Sequence, residues 1–164
     1  MVLTKTPICN FGEKTKSFEL KGIDGQLHKL EDHIGKNGLL IMFICNHCPY
    51  VKAIIRDIVE DCKNLKKEGV NSIAIMSNDT KEYPEDSFEN MKIFSKKFNF
   101  SFPYLIDETQ EIAKEYGAVC TPDFFGYNSK LELQYRGRIR ELKDLKPINS
   151  GAVSYTHLTL PTKA

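Results

Sequence analysis

The sequence predicts an α/β domain with a mixed central sheet and helices on both of its faces. Two short runs, 39–44 and 70–76, are apolar throughout, which is typical of strands buried on both sides of a parallel sheet. Segments with helical spacing of apolar residues separate such runs, and a hairpin pattern comes last. Strands that alternate with helices favour layers of helices packed on a sheet.

The first half of the chain predicts a hairpin, a strand and a helix. Residues 17–20 and 27–30 flank the turn sequence KGIDGQ, which predicts an antiparallel hairpin. Residues 39–44 form the first core strand. From Val51 onward a helical stripe of apolar residues runs to a stop at Gly69. The members of the stripe are Ile54, Ile55, Ile58, Cys62 and Leu65. We expect Cys62 to be a small buried core residue.

The second half predicts another strand, two helices and a closing hairpin. Residues 70–76 form the second core strand, and the turn-rich sequence SNDTKEYPED follows it. An aromatic and methionine stripe, best explained as core, predicts the next helix: Phe88, Met91, Phe94 and Phe98. The third helix covers 109–116, with Thr109 as its N-cap and Gly117 as its stop. The segments 124–127 and 131–136 predict a hairpin, whereas the apolar piece 104–106 fits no pattern well enough to be assigned.

Composition indicates one domain without an electrostatic affinity for nucleic acid or membranes. A chain of 164 residues is long enough for one compact core. Its 23 Lys and Arg residues nearly balance 22 Asp and Glu residues, so we expect neither nucleic-acid nor membrane partners. The first twelve residues contain no apolar leader, and five cysteines are an odd number that disfavours a disulfide framework. The expected location is the cytoplasm.

The last residues of the chain have the character of a sequencing artefact. The segment VSYTHLTLPT resembles the translated read-through of a transposon adapter used for sequencing libraries. We therefore predict a single domain over residues 1–151, with 152–164 not native and the natural chain continuing past Gly151. The competing interpretation is an ordinary C-terminal strand.

Two cysteines stand where the first core strand meets its helix. Cys45 and Cys48 are separated by two residues and followed by Pro49, which a first helical turn tolerates. A helix N-terminus lowers the pKa of a cysteine, and C-x-x-C spacing lets a second thiol resolve a mixed disulfide formed at the first. We expect Cys45 to be the low-pKa nucleophile and Cys48 the resolving thiol.

Two other uses of this cysteine pair compete with redox chemistry. A zinc site needs four ligands, and the sequence offers no second C-x-x-C and no H-x-x-x-H. The remaining set for such a site is Cys45, His47, Cys48 and Cys120. An inert buried pair would not need the strand-to-helix junction, so redox use is favoured.

Motifs beyond the pair resemble the thioredoxin superfamily. FICNHCPY with AVCTPDFF downstream is similar to that superfamily in general. SNDTKEYPEDSFENMK and FPYLIDETQEIAKEYGA resemble its peroxiredoxin-like branch, the alkyl hydroperoxide reductase C/thiol-specific antioxidant group. The resemblance runs from 18 to 138 and implies a thioredoxin-like fold. It implies that Pro122 is a cis proline facing the cysteines, and that Thr121 binds a substrate peptide through its backbone.

Three departures from these families affect the expected chemistry. Peroxiredoxins carry a proline and a threonine ahead of their peroxide-reducing cysteine, and neither precedes Cys45. Thioredoxins carry a buried acid at the position of Leu39, and His47 is the candidate substitute. The C-N-H-C sequence also shares its histidine with the C-P-H-C of strongly oxidising disulfide donors. We expect His47 to favour the Cys45 thiolate, the alternative being a solvent-facing histidine that only fills the turn.

The expected function is thiol–disulfide oxidoreduction without a cofactor. The predicted partners are a protein or small-molecule disulfide or thiol and an upstream dithiol reductant. The alternatives are a peroxiredoxin-like antioxidant peroxidase that uses Cys45 and a non-catalytic module that binds a metal or a partner. Cys120 is expected near the pair, as a third redox cysteine or as a packed small residue. Cys9 has no predicted partner, and Arg138 is expected to be a solvated strand residue or an anion contact.

Overall fold

The computed structural model describes residues 10–137 and the backbone of two short strands beyond them. Seven strands form one sheet: β1 (Glu19–Gly22), β2 (Leu27–Lys29), β3 (Gly38–Phe43), β4 (Val70–Met76), β5 (Tyr104–Ile106), β6 (Asp123–Asn128) and β7 (Leu133–Gly137). The helices are α1 (Pro49–Lys67), α2 (Phe88–Lys97) and α3 (Glu111–Tyr116). Two last strands, β8 (Leu142–Lys143) and β9 (Lys146–Pro147), pair antiparallel with each other. The expectations for Cys9, Arg138 and 152–164 fall outside the described residues.

The sheet is mixed, as the sequence predicts. Its strand order is β2-β1-β5-β4-β3-β6-β7. β3 pairs parallel with β4, and β4 pairs parallel with β5. β6 runs antiparallel to both β3 and β7, and β1 is antiparallel to both β2 and β5. All six residues of β3 are buried, because strands cover both of its edges and packed layers cover both of its faces.

Alternate residues of β3 contribute to two separate cores, which confirms packed layers on both faces. Leu40 and Met42, together with Ile44 directly after the strand, join the core formed with the apolar stripes of α1 and α2. Leu39, Ile41 and Phe43 join the opposite core, which includes Tyr116 of α3. Cys62 is buried in the first core with its sulfur 3.9 Å from that of Met42, as expected of a small core residue. Within the described residues, no helix combines the length and apolar character needed to cross a membrane.

Element boundaries differ from the prediction mainly where polar segments begin an element. α3 begins at Glu111, and its N-cap is Gln110 in a left-handed conformation, so the assignment of Thr109 as the N-cap is wrong. The Thr109 hydroxyl still accepts the N–H of Glu111 at 3.4 Å from one residue further out. Gly117 ends the helix in a left-handed conformation, as predicted. The unassigned piece 104–106 is β5, a short buried strand of the parallel part of the sheet.

The topology brings three chain segments to one edge of the sheet. The carboxyl ends of the parallel strands β3 and β4 lie side by side, with Phe43 opposite Ile75. β6 starts at this edge because Asp123 pairs with Phe43 in antiparallel register. The turn after β3, the loop after β4 and the residues before β6 therefore meet there. The C-x-x-C sequence occupies the first of these segments.

Candidate functional site

Both predicted redox cysteines lie in the turn between β3 and α1. The strand ends at Phe43 and the helix begins at Pro49, so Cys48 is the N-cap residue. Pro49 is the first residue of the helix, as predicted. Its missing N–H costs no hydrogen bond there, because the first N–H groups of a helix have no partner within the helix. Cys45 is 1% exposed and Cys48 is 4% exposed. The pair is thus buried at the end of the sheet.

The residues before β6 contact both sulfurs. The Thr121 hydroxyl lies 3.4 Å from the Cys45 sulfur, and the Thr121 carbonyl oxygen lies 3.5 Å from the Cys48 sulfur. The Thr121–Pro122 peptide bond is cis, as the resemblance implies. The structure therefore brings together the four residues Cys45, Cys48, Thr121 and Pro122. The binding of a substrate peptide by the Thr121 backbone stays a prediction.

The two thiols differ strongly in acidity. The pKa of Cys48 is lowered to about 5, because the Cys45 thiol donates a hydrogen bond to its sulfur and the backbone N–H groups of Val51 and Tyr50 stabilise its thiolate. The pKa of Cys45 is raised, because its proton is held by Cys48 and because the site is buried. The negative charge of Asp86 adds to this increase.

These directions run against the expectation that Cys45 is the low-pKa thiol. The reason is the position of the helix, which begins one residue after Cys48. Its free N–H groups point at the N-cap residue, and the macrodipole decays within the first turn. In the reduced protein one proton is shared by the pair, with Cys48 as the thiolate and Cys45 as the hydrogen-bond donor.

His47 does not merely fill the turn. Its Nδ1 lies 2.5 Å from Oδ2 of Asp86, and its ring stacks on Tyr83 with ring centroids 4.8 Å apart. The side chain is 30% exposed, whereas that of Asp86 is completely buried. The alternative of a solvent-facing histidine is thus wrong, and the imidazole has a defined partner that the sequence analysis did not name.

Asp86 also holds the backbone of the C-x-x-C turn. Its Oδ1 accepts the N–H of Asn46 at 2.7 Å and the N–H of His47 at 3.2 Å. Its Oδ2 accepts a hydrogen bond from the Asn78 amide at 2.8 Å. Tyr104 donates its hydroxyl to Asn46 Oδ1 at 2.8 Å. These hydrogen bonds together fix the turn that carries both cysteines.

Asp86 is the functional residue that sequence reasoning missed. It lies in the short 3-10 turn Pro84–Asp86, which the sequence presents only as part of a turn-rich loop. A signal was available: this loop follows β4, and the carboxyl ends of adjacent parallel strands share one edge. An acidic residue in that loop was thus a candidate neighbour of the cysteine turn.

The alternative zinc set is not assembled as expected. Among the described residues, the donor atoms that cluster belong to Cys45, His47 and Asp86, all within 4.8 Å of one another, without Cys48 or Cys120. Neighbouring ligands of a tetrahedral zinc ion stand about 3.4 Å apart, given bonds of about 2.1 Å. The 2.5 Å between His47 and Asp86 is instead the distance of a strong hydrogen bond.

Cys120 lies beside the site but not among its contacts. It is exposed, and the pKa of its thiol is raised by partial burial and then by the carboxylate of Asp123. A negative charge on Cys48 also raises the pKa of Cys120, so the two sulfurs are close enough to interact electrostatically. Arg136 pairs with Asp123 at 3.1 Å, and both side chains are buried. The third-redox-cysteine interpretation of Cys120 stays a prediction.

A groove of about 490 Å³ opens on the His47 side of the turn. It runs between the start of α1 and the length of α2, and Thr121 and Pro122 do not line it. Lys52 and Lys97 supply positive charge, and Ile93, which is 63% exposed, supplies apolar surface. Glu85 adds one negative charge to the lining, so the groove beside His47 is partly apolar and carries an excess of positive charge.

Comparison with known proteins relates this fold and site to redox proteins. The crystal structure of an uncharacterized conserved protein from Geobacillus kaustophilus is 37% identical, with a TM-score of 0.82 over 98% of this chain and 92% of that one. Thiol-disulfide oxidoreductase ResA from Bacillus thuringiensis is 27% identical over 74% of this chain. Chloroplastic peroxiredoxin Q from Populus jackii is 27% identical over 71% of this chain.

These two curated relatives are longer than the region they share with this chain. The match spans 66% of the ResA protein and 50% of peroxiredoxin Q, less than two thirds of either. Solved structures of lower identity share the thioredoxin-like fold, which confirms the fold class expected from the motifs. The sequence profile of the AhpC/TSA family matches residues 11–142, which include the whole seven-stranded sheet and the cysteine turn. The chain belongs to the AhpC/TSA family.

Proposed function

We propose that this protein is a thiol–disulfide oxidoreductase that works through Cys45 and Cys48. The observation that carries the proposal is the arrangement of the two sulfurs: both lie at the strand-to-helix turn, and both contact Thr121 ahead of the cis Pro122. The relationship to a protein named thiol-disulfide oxidoreductase supports it. No cofactor is needed, because the two thiols supply both electrons.

In the proposed reaction the Cys45 sulfur attacks one sulfur of a substrate disulfide. The substrate S–S bond breaks, a mixed disulfide forms at Cys45, and the first substrate thiolate leaves. Cys48 then attacks the Cys45 sulfur, which releases the second substrate thiol and leaves a Cys45–Cys48 disulfide. The substrate gains two electrons and the protein loses two, so a dithiol reductant must restore the pair.

The surroundings of the pair support a disulfide substrate that carries apolar and anionic groups. Lys52 and Lys97 provide cations in the groove beside His47, and Ile93 provides exposed apolar surface. Thr121 is the proposed backbone contact for a peptide substrate. An odd count of five cysteines fits a compartment that keeps thiols reduced, so we place the reaction in the cytoplasm. Fractionation of the native host tests this location.

Reduction of insulin disulfides by the purified full chain, with a dithiol as electron source, tests the proposed function. We expect turnover by the wild type and none by Cys45→Ser. When the dithiol is omitted and reduced Cys48→Ser is mixed with insulin, it should accumulate a mixed disulfide with the substrate, detectable by mass spectrometry, because resolution needs the second thiol. Equal residual activity in both serine variants would contradict the assigned roles.

A second candidate function is peroxide reduction at Cys45. The observation in its favour is the relationship to peroxiredoxin Q within the AhpC/TSA family. Against it, neither the proline nor the threonine expected ahead of a peroxide-reducing cysteine is present before Cys45. Stoichiometric peroxide consumption by Cys48→Ser, lost in Cys45→Ser, would favour this function and an antioxidant role.

A further inference from the structure

The thiol proton of Cys45 needs an acceptor, if the proposed function is correct. The reduced pair holds one proton between its two sulfurs, on the Cys45 side. Oxidation to a disulfide requires that this proton leave the pair, and the departing substrate sulfur requires one. Neither β3 nor α1 offers a carboxylate near Cys45: the strand is apolar throughout, and the first turn of the helix has no acidic residue. The acceptor must come from another element.

Asp86 and His47 lie at the right place to accept it. The Cys45 sulfur, a His47 ring nitrogen and an Asp86 carboxylate oxygen all lie within 4.8 Å of one another. That separation is bridged by a small movement or by one water molecule, the reach within which a general base acts. Asp86 already accepts hydrogen bonds from two backbone N–H groups and the Asn78 amide, and these contacts fix the oxygen that orients the imidazole.

We propose that His47 and Asp86 form a proton shuttle for Cys45. As the Cys45 sulfur attacks, its proton passes to the imidazole of His47, whose Nδ1–H is held by the Asp86 carboxylate. The imidazolium formed is paired with that carboxylate rather than left as an isolated charge in a partly buried site. The same proton then goes to the substrate thiolate that leaves. No proton or electron is gained or lost in the transfer.

The groups around the couple come from several elements. Cys48 faces it from the start of α1, and Tyr104 faces it from β5 through Asn46. The ring of Tyr83 covers one face of the imidazole. Lys52 and Glu85 line the groove next to His47. Removing Cys48 as a competing proton acceptor is therefore necessary before the shuttle is measured.

The test follows the reaction of Cys45 with dipyridyl disulfide, an uncharged probe, in the full chain carrying Cys9, Cys48 and Cys120 as serine. Cys62 remains, because it is 3% exposed in the core. The parent is compared with a further Asp86→Asn variant over a range of pH. The amide keeps an oxygen for the turn N–H groups but cannot balance an imidazolium. Glu82→Gln, an exposed charge in the same loop, is the matched control.

We expect Asp86→Asn to slow the reaction on the order of 10²-fold at neutral pH, with the deficit disappearing at high pH where Cys45 is already a thiolate. Glu82→Gln should match the parent. A reaction that is faster or unchanged would overturn the proposal, because removing a repulsive charge alone favours the thiolate. A deficit of equal size at every pH would also overturn it, since Asp86 would then only hold the turn.

A second variant covers the case in which Asp86→Asn does not fold. His47→Gln leaves Asp86 in place, and its side chain replaces one that is 30% exposed. It should give the same loss at neutral pH and the same recovery at high pH, and parent-like rates at all pH values would overturn the proposal. Both variants are measured on Cys45 with a small disulfide. Failure of the wild type to reduce insulin would therefore contradict the proposed function without affecting this result.

Discussion

The two redox cysteines share a sequence motif but not an environment. Cys48 caps α1 and gains the free N–H groups of its first helical turn, whereas Cys45 lies three residues earlier and faces Asp86. A pair of coupled thiols releases its protons in two steps that belong to the pair. Here the first step leaves the charge on Cys48, and the second is postponed by the buried, already negative site.

This arrangement predicts how the reduction potential of the pair depends on pH. Below a pH of about 5 the reduced pair carries two protons, so the potential should fall by about 59 mV per pH unit. Above that value Cys48 is already a thiolate and the reduced pair carries one proton, so the slope should fall to about 30 mV per unit. Equilibration with a glutathione redox buffer over a range of pH measures both slopes.

Ultraviolet thiolate absorbance of the reduced protein provides the matched control for that prediction. It should show a titration near pH 5 that is absent from Cys48→Ser and from the oxidised protein. A slope that stays near 59 mV per unit throughout the neutral range would show that the first thiol proton is not lost near pH 5.

At the scale of elements, β3 determines where the site lies. It is buried between β4 and β6, and its first residue, Gly38, lies close against β6. Gly38 has a φ of +152°, and a Cβ atom added there would stand 2.3 Å from the Tyr127 carbonyl oxygen. The glycine is therefore required both by its own backbone conformation and by the approach of β6.

Substitution of Gly38 by alanine should destabilise the protein strongly. Backbone strain and the clash with Tyr127 together should lower the free energy of unfolding by at least about 3 kcal/mol. Gly25→Ala is the matched control: its φ is +81°, and no atom lies within 4 Å of the added Cβ, so the loss should be about 1 kcal/mol. Urea denaturation measures both. Equal losses would indicate that β3 and β6 separate easily.

Elements with a regular apolar pattern were predictable, and those defined by long-range contacts were not. The stripe from Val51 to Leu65 and the start at Pro49 specify α1 locally, and the structure confirms both. β5 has three residues, too few for a period to show, and becomes a strand by pairing with β4 and β1. α3 starts late because Gln110 adopts a left-handed conformation, which no local pattern predicts.

At the scale of the whole molecule, the fold gathers a site from distant parts of the chain. The C-x-x-C motif and the Thr-Pro sequence were recognisable, because each is a local signature that the thioredoxin-like fold brings together. Asp86 was not recognisable, because its role depends on complete burial and on contacts across forty residues of sequence. The sequence also does not show which sulfur faces the free N–H groups, because the first helical residue decides that.

The same thiol chemistry should appear in the stability of the whole protein. The pKa of Cys48 is lowered from an ordinary 9.0 to about 5 on folding. Between these values the unfolded chain carries a thiol proton that the folded chain has lost. This contribution to stability is therefore fully present above about pH 9 and is lost as the pH falls to 5. Cys45, whose pKa is raised, contributes stability below pH 9 that is lost at higher pH.

We therefore expect the unfolding free energy of the reduced protein, relative to the oxidised protein, to rise by at most about 1.4 kcal/mol per unit between about pH 5 and 9, and then to decline. Urea denaturation of both redox forms over this range measures the difference. The oxidised form is the control, because it has no redox-pair thiols to titrate and shares every other group. A thermodynamic cycle links this slope to the potential, since about 30 mV equals 1.4 kcal/mol for a two-electron couple. A flat difference would contradict the low pKa of Cys48 independently of any measurement of activity.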